Sequence, residues 1–243
     1  MLAVIGGTGL YSIEGLVVDD RRLIDTAFGS PSGVVISGHL GGDPLLFLAR
    51  HGEDHSVAPH RINYRANLKA LEEAGATRIL AIGTVGGIAP ECFPGALVVP
   101  DHIIDYTWGR EHTFSGEGEP VAHVDFTWPY SRPWRSEVLD ALASSSADPD
   151  KVVDGGTYAA VQGPRLETAA EVKKLAREGC TIVGMTGMPE AVLARELGID
   201  YAAVCPVVNR AAGLTDAPLD IDSMGEVLEA ALAPLKDLIT GLA

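Results

Sequence analysis

The sequence predicts an α/β fold, a single domain spanning residues 1–243 around a mixed or parallel β-sheet, and three observations carry that expectation. Short apolar, strand-like runs alternate with segments of helical period, the pattern that lays helices on a sheet. With 243 residues, 47% hydrophobic and 21% charged, the chain can build one large globular core. The stretch from Val183 to Asn209 reads as strand, polar turn, short helix and second strand. There Pro189 suits the first helical turn and Gly198 the left-handed position that closes it.

Leu2 to Ile5 predicts a buried strand, and Gly6-Gly7-Thr8-Gly9 a tight turn that lets backbone approach a ligand. Gly33 to Arg50 carries VVISGHL and PLLFLAR around Gly41-Gly42, the composition of a hairpin. Tyr64, Leu68 and Leu71 recur at helical spacing, and Gly75 supplies a stop. Ile79 to Ile82 is the next strand, running into the glycine-rich turn Gly83-Thr84-Val85-Gly86-Gly87. Leu97 to Ile104 reads as one strand, and Asp105 to Tyr130, without periodicity, as a long functional loop or lid.

Trp134 to Leu142 predicts a helix, followed by a surface connection through Asp150. Tyr158 to Val161 is a short strand, and Leu166 to Glu178 a helix ended by Gly179. Met185, Thr186 and Gly187 end the following strand, and Asn209 ends the strand Tyr201 to Val208, both places where open α/β sheets hold ligands. The final helix runs from about Ser223 to Leu238, with Met224, Leu228 and Leu232 on one face and Pro234 expected to kink or split it.

A formal net charge of −15 argues against a nucleic-acid partner, which would be bound by neutralising phosphates. A small anion needs local arginines and oriented amides to override that field. No apolar run is long enough to span a bilayer and no secretory start is present, so a soluble cytoplasmic protein is expected. Cys92, Cys180 and Cys205, scattered and without a CxxC pair, read as reduced core thiols.

Gly7-Thr8-Gly9 opens like a dinucleotide fingerprint, but its third glycine position is Ser12. His51, His55 and His60 cluster in HGEDHSVAPH, which lacks the glutamate position of a zinc-binding HExxH, so no metal is expected. Arg50-His51 after a strand suits an anion instead, the arginine offering a charged fork and the histidine a further donor. The GxSxG elbow is absent. The strand ends bearing Thr8, Arg50, His51, Gly83, Thr84, Met185, Thr186 and Asn209 suit binding better than covalent catalysis.

Seven ordered motifs, IGGTGL at 5–10, LARHG at 48–52, NYRANLKAL at 63–71, TVGGI at 84–88, QGPRLET at 162–168, MTGMPEAVLARELG at 185–198 and VVN at 207–209, resemble the trimeric purine nucleoside phosphorylase and 5′-methylthioadenosine phosphorylase family along nearly the whole chain. The resemblance implies a single α/β domain around a distorted mixed sheet flanked by helices, a homotrimer, and reversible phosphorolysis of a purine nucleoside without a metal or other cofactor, inorganic phosphate being the co-substrate. Thr8, Arg50, His51, Gly83, Thr84 and Thr186 would then hold phosphate. In the 83–84 turn family members commonly have Ser, Thr or Asn followed by Ala, whereas here Gly83 precedes Thr84. Met185 would line the ribose.

Asn209, the candidate catalytic residue, would donate its amide to O6 or N7 of a departing 6-oxopurine. Family members that cleave 6-aminopurines place an aspartate at Asn209 and another at Ala211, and both carboxylates are missing here. Glu167 matches the acidic residue that accepts the N1 hydrogen of a 6-oxopurine, although read alone it is a helix N-terminal carboxylate. Leu166, Arg210 and Ala211, neighbours of Glu167 and Asn209 in the chain, are assigned to the nucleoside with them. Where relatives that take ordinary nucleosides place a histidine, this chain has Met224, which with Leu228 would form an apolar patch for a 5′-methylthio group.

The expectation is phosphorolysis of S-methyl-5′-thioinosine, with inosine, guanosine or methylthioadenosine phosphorolysis as alternatives. A nucleoside-binding protein that has lost catalysis is the non-enzyme alternative, and a dinucleotide-dependent oxidoreductase a third reading. His123 and Phe126, between His112 and Trp128, are candidates to reach a neighbouring subunit's site.

Overall fold

The computed structural model describes residues 1–116, 121–215 and 221–243, with side chains in the last segment from Met224 onward. Strand β1 (Leu2–Gly6) is the first internal strand of a mixed sheet. Its alternate residues supply opposite faces, Leu2 and Val4 to one apolar cluster and Ala3 and Ile5 to another, the consequence of a strand's period of two. Strand β2 (Val17–Arg22) forms an exposed edge against β3 (Val35–Leu40), which makes a hairpin with β4 (Asp43–Ala49). Leu40 pairs with Asp43 across Gly41-Gly42, whose φ angles of 64° and 103° are those a two-residue hairpin turn requires.

Strand β1 runs parallel to β4 on one side and to β5 (Arg78–Ile82) on the other. Two further strands, β6 (Val85–Gly87) and β7 (Leu97–Val99), correct the expected architecture. Val85 to Gly87 is strand rather than turn, and the expected strand Leu97 to Ile104 is broken at Pro100-Asp101 into β7 and β8 (His102–Asp105). The two pieces join different neighbours. Strand β7 pairs with β9 (Val152–Asp154), and β8 with β10 (Thr157–Ala160). Then β10 lies beside β11 (Ile182–Gly184), which turns antiparallel to β6.

The long strand β12 (Asp200–Arg210) unites these parts: its first half is parallel to β5, its second half to β6, and Cys205 and Pro206 also pair with β7. A register shift between Val207 and Asn209 bends it there. Asn209 therefore sits inside the strand, just past the bulge, rather than beyond its end.

Helix α1 (Tyr64–Glu73) starts at Asn63, whose side chain accepts from the Ala66 amide, and closes at Gly75 with φ 95°. Helices α2 (Arg132–Ala143) and α5 (Ile221–Leu242) cover one face of the sheet, burying Trp134, Val138, Leu235 and Leu238. Helix α3 (Ala169–Arg177) begins three residues later than Leu166, because Thr168 and Glu171 form a capping box. Helix α4 (Gly187–Glu196) shares the other face with α1, and it has helical geometry only from Pro189, since Met188 is extended. Gly198 closes it with φ 68°.

Pro234 does not split α5, which runs on as one helix. Ala230, whose carbonyl loses its donor to the proline, is exposed, so water can satisfy that carbonyl. The buried stripe of α5 is Leu228, Ala231, Leu235, Leu238, Ile239 and Leu242. The three cysteines are free and buried. The described parts of 106–131 hold neither helix nor strand, and 117–120 of the expected lid lie outside the described residues. Among the described residues no helix is long and apolar enough to cross a membrane.

Candidate active site

A cavity of about 430 Å³ opens where β1, β4, β5, β11 and β12 end. From these ends come Thr8, Arg50 and His51, Gly83 and Thr84, Met185 and Thr186, and Asn209. Leu166, Glu167 and Met224 complete the part of the lining expected from sequence.

Arg50 forms the floor. It is 2% exposed, and its Nε and Nη2 each donate at 2.7 Å to Glu190, which is fully buried. Nη1 donates at 2.9 Å to the Ile82 carbonyl. Burial works against the Arg50 charge, but the Glu190 carboxylate more than offsets it and holds the guanidinium's pKa above its usual value. Of five N–H donors, three are thus committed to protein and two are left for a ligand. The backbone at Gly7 makes room for this: a Cβ there would lie 2.9 Å from Nη1 and 2.7 Å from the Ile82 carbonyl. Gly83 lies between Thr186 and Arg50, since its Cβ would meet Thr186 Oγ1 at 3.5 Å and Arg50 Nη1 at 3.6 Å. Thr186 is the N-cap residue of α4, yet its hydroxyl is not spent on capping.

His51 lines the cavity in a different role from the expected donor. Its Nδ1 lies 2.8 Å from the Val57 carbonyl, which can only accept, so Nδ1 carries the proton. Burial, and beyond it the Arg50 charge, lowers the His51 pKa to about 4. At neutral pH the ring is uncharged and Nε2 is an acceptor. The His51 and His55 rings lie 4.6 Å apart, and among the described residues no group of three His, Cys, Asp or Glu is arranged to hold a metal ion.

Also in the lining, Asn209 Nδ2 donates at 2.8 Å to the Arg210 carbonyl. Burial pushes the Glu167 carboxyl above its ordinary range. Glu167 precedes the Thr168 N-cap of α3, and Glu171 fills the capping position, so Glu167 is not the first-turn carboxylate that its motif alone suggests. Met185 packs its sulfur over Gly163, where a Cβ would come within 2.4 Å of Sδ.

Three expected contacts are corrected. The Arg210 guanidinium donates to the carbonyls of Ile88, Ala89 and Cys92, which fastens a loop and leaves it outside the lining. Ala211 is 2% exposed and packs with Ile88, Ala159 and Val172, and Ala212 lines the cavity in its place. Leu228 is buried behind Gly9, so it backs the cavity rather than lining it. No helix separates the Gly7-Thr8-Gly9 turn from β2, which removes the dinucleotide reading.

Sequence reasoning missed Glu190 and Arg110. Glu190 had a signal, being the one charge in the run GMPEAVLA, where an unpaired buried carboxylate would be costly. Arg110, from the aperiodic stretch, donates to the carbonyls of Val161, Gln162, Met185 and Met188, and no local pattern announces that.

The sequence pattern of the phosphorylase superfamily matches residues 1–243, the whole chain. This chain belongs to that superfamily. Within the phosphorylase superfamily it is 52% identical, over 100% of its length and 96% of the relative's, to a probable S-methyl-5′-thioinosine phosphorylase of Xanthomonas campestris pv. campestris. It is 42% identical, over 93% of its length and 85% of the relative's, to a probable 6-oxopurine nucleoside phosphorylase of Thermococcus kodakarensis. Its fold superposes on Schistosoma mansoni methylthioadenosine phosphorylase in complex with adenine, with a TM-score of 0.93 and 29% identity over 99% of this chain and 89% of that one. The mixed α/β sheet expected of a phosphorylase is therefore the fold found.

Proposed function

We propose that this phosphorylase cleaves S-methyl-5′-thioinosine with inorganic phosphate, giving hypoxanthine and 5-methylthioribose 1-phosphate, in salvage of methylthio-nucleosides. A phosphate oxygen forms the bond to C1′ as the bond from C1′ to N9 breaks, and the purine leaves with the proton that hydrogen phosphate gives up. The observation that carries the reading is that the Asn209 amide shares one cavity with Arg50 and Met224. The names of the most similar relatives support it.

Phosphate is assigned to Thr8, Arg50, His51, Gly83, Thr84 and Thr186. Neutral His51 would accept from a protonated phosphate oxygen. The anion beside the sugar would stabilise cationic character at C1′, so no protein nucleophile is required. Met185 faces the ribose, Glu167 would accept from N1, and the second N–H of Asn209 would offset charge growing on the base. We read the enzyme as a single-domain cytoplasmic homotrimer acting without metal or cofactor.

Inosine phosphorolysis is the second reading, favoured by the finding that only Met224 of the expected apolar pair lines the cavity. Comparing kcat/KM for methylthioinosine, methylthioadenosine, inosine and guanosine decides between them. Methylthioinosine is expected to lead, and Met224→His to narrow its lead over inosine roughly tenfold, the scale of one lost apolar contact. A preference for methylthioadenosine would remove the Asn209 argument.

A further inference from the structure

The buried group beneath the cavity has chemistry that the reaction itself does not use. Glu190 and Arg50, 140 residues apart in sequence, meet in a two-toothed ion pair in which both side chains are almost wholly shielded from water. Tyr201, also buried, donates at 2.8 Å from its hydroxyl to Glu190 Oε1, the same oxygen that accepts from Arg50 Nη2. Tyr201 stands in β12 and Glu190 in the first turn of α4, so a strand and a helix both fix the carboxylate. A buried ion pair adds little net stability over an apolar replacement, because desolvation consumes most of the attraction. What it can supply is a fixed direction for the guanidinium fork.

That direction matters because the pair carries no net charge. Neutral His51 adds none, so the immediate side chains cannot hold an anion by bulk positive potential. Attraction has to come from aimed N–H donors, and an arginine aims only as well as its plane is held. The Ile82 carbonyl fixes Nη1 from the other side. The two remaining N–H groups are left at the floor beside Gly83 and Thr186.

We propose that Glu190 and Tyr201 are positioning residues for phosphate, acting through Arg50: the carboxylate fixes the guanidinium plane and the phenol fixes the carboxylate. The inference rests on the assignment of Arg50 to phosphate. Glu190→Gln keeps one acceptor but sets an amide against the arginine, and Tyr201→Phe removes a single hydrogen bond and keeps the packing. The two variants, with Arg50→Lys and Tyr201→Phe/Arg50→Lys, are tested for inorganic phosphate affinity by titration calorimetry, for KM of phosphate and of nucleoside, and for melting temperature.

Tyr201→Phe and Glu190→Gln are expected to weaken phosphate binding and raise its KM roughly tenfold, the scale of one charge-assisted hydrogen bond, with nucleoside KM within twofold. In the Arg50→Lys background the Tyr201→Phe effect should vanish, which a purely structural role would not produce. Unchanged phosphate affinity in folded Tyr201→Phe, when Arg50→Lys weakens it, overturns the positioning role alone. An equal rise in both KM values that persists in the Arg50→Lys background does the same. Unchanged phosphate affinity in Arg50→Lys overturns the phosphate assignment of Arg50, and this inference with it. Should Glu190→Gln not fold, Tyr201→Phe decides.

Discussion

Asn209 donates through Nδ2, at 2.8 Å, to the backbone carbonyl of Arg210. A carbonyl only accepts, so this bond fixes which end of the amide faces the chain and leaves the carbonyl oxygen and one N–H for the cavity. The residue that would recognise the base is thus oriented by its own neighbour.

Asn209→Asp is expected to lose activity on methylthioinosine without gaining any on methylthioadenosine. A carboxylate cannot donate to the Arg210 carbonyl and is repelled by it, so the new side chain turns away or takes a proton. Position 211 is a packed alanine with no second carboxylate. Steady-state kinetics should show kcat/KM for methylthioinosine falling about 10²-fold, the effect of removing one donor to a charge that develops in the transition state. Methylthioadenosine cleavage should not rise, and a gain there would contradict the account.

Gly83→Ser is expected to bind phosphate more tightly. The added Cβ would stand at ordinary contact distance from both Thr186 Oγ1 and Arg50 Nη1, so the backbone need not move. Its hydroxyl would add one donor beside those of Arg50 and Thr186, and one net hydrogen bond corresponds to a phosphate KM lowered by roughly threefold to tenfold. A higher KM in a variant with unchanged melting temperature would mean that the ligand needs the empty space beside Gly83.

Much of this arrangement is legible in the sequence because local chemistry writes it there. Gly41-Gly42 demanded a hairpin, Gly75 closed α1, and the apolar strands announced the ends at which Thr8, Arg50, Gly83, Thr186 and Asn209 meet. What the sequence hid depends on partners distant along the chain. The strand Val17–Arg22 is exposed along its whole length and carries no apolar alternation. The run from Leu97 to Ile104 looks continuous but serves three neighbours, β9 and β12 through its first part and β10 through its second. Arg210 follows Asn209 in the motif, yet its side chain is drawn away by carbonyls some 120 residues earlier.

The pKa of His51 makes a prediction for acid stability. Its folded value of about 4 lies below the unfolded value of about 6.5. Between those values the unfolded chain binds more protons, so the His51 contribution is lost as pH falls from about 6.5 toward 4 and is constant above. Thermal melts from pH 4.5 to 7.5 should fall more steeply for the native protein than for His51→Gln below pH 6.5, and run parallel above pH 7. Parallel curves throughout would mean that the ring is not held neutral.

Arg110 should be the residue of the 105–130 stretch on which the nucleoside side of the cavity most depends. Its Nη1 donates to the carbonyls of Met185 and Met188 at 2.8 and 2.6 Å and to the Tyr64 hydroxyl at 3.1 Å. Its Nη2 reaches the Gln162 carbonyl at 2.8 Å, and Nε the Gln162 side chain at 3.2 Å. One planar cation thus ties the turn that carries Met185 and Thr186 to the turn that leads to Leu166 and Glu167. A lysine brings one compact ammonium and cannot span both turns. Arg110→Lys is therefore expected to cost roughly 2–3 kcal/mol of stability, the scale of lost hydrogen bonds to a charged group. It should also raise nucleoside KM about tenfold, corresponding to about 1.4 kcal/mol, while phosphate KM moves less, because Arg50 is fixed also by the Ile82 carbonyl and, through Glu190, by Tyr201. Chemical denaturation and two-substrate kinetics on the same preparation separate the effects, and equal changes in both KM values would show that Arg110 supports the whole cavity rather than its nucleoside wall.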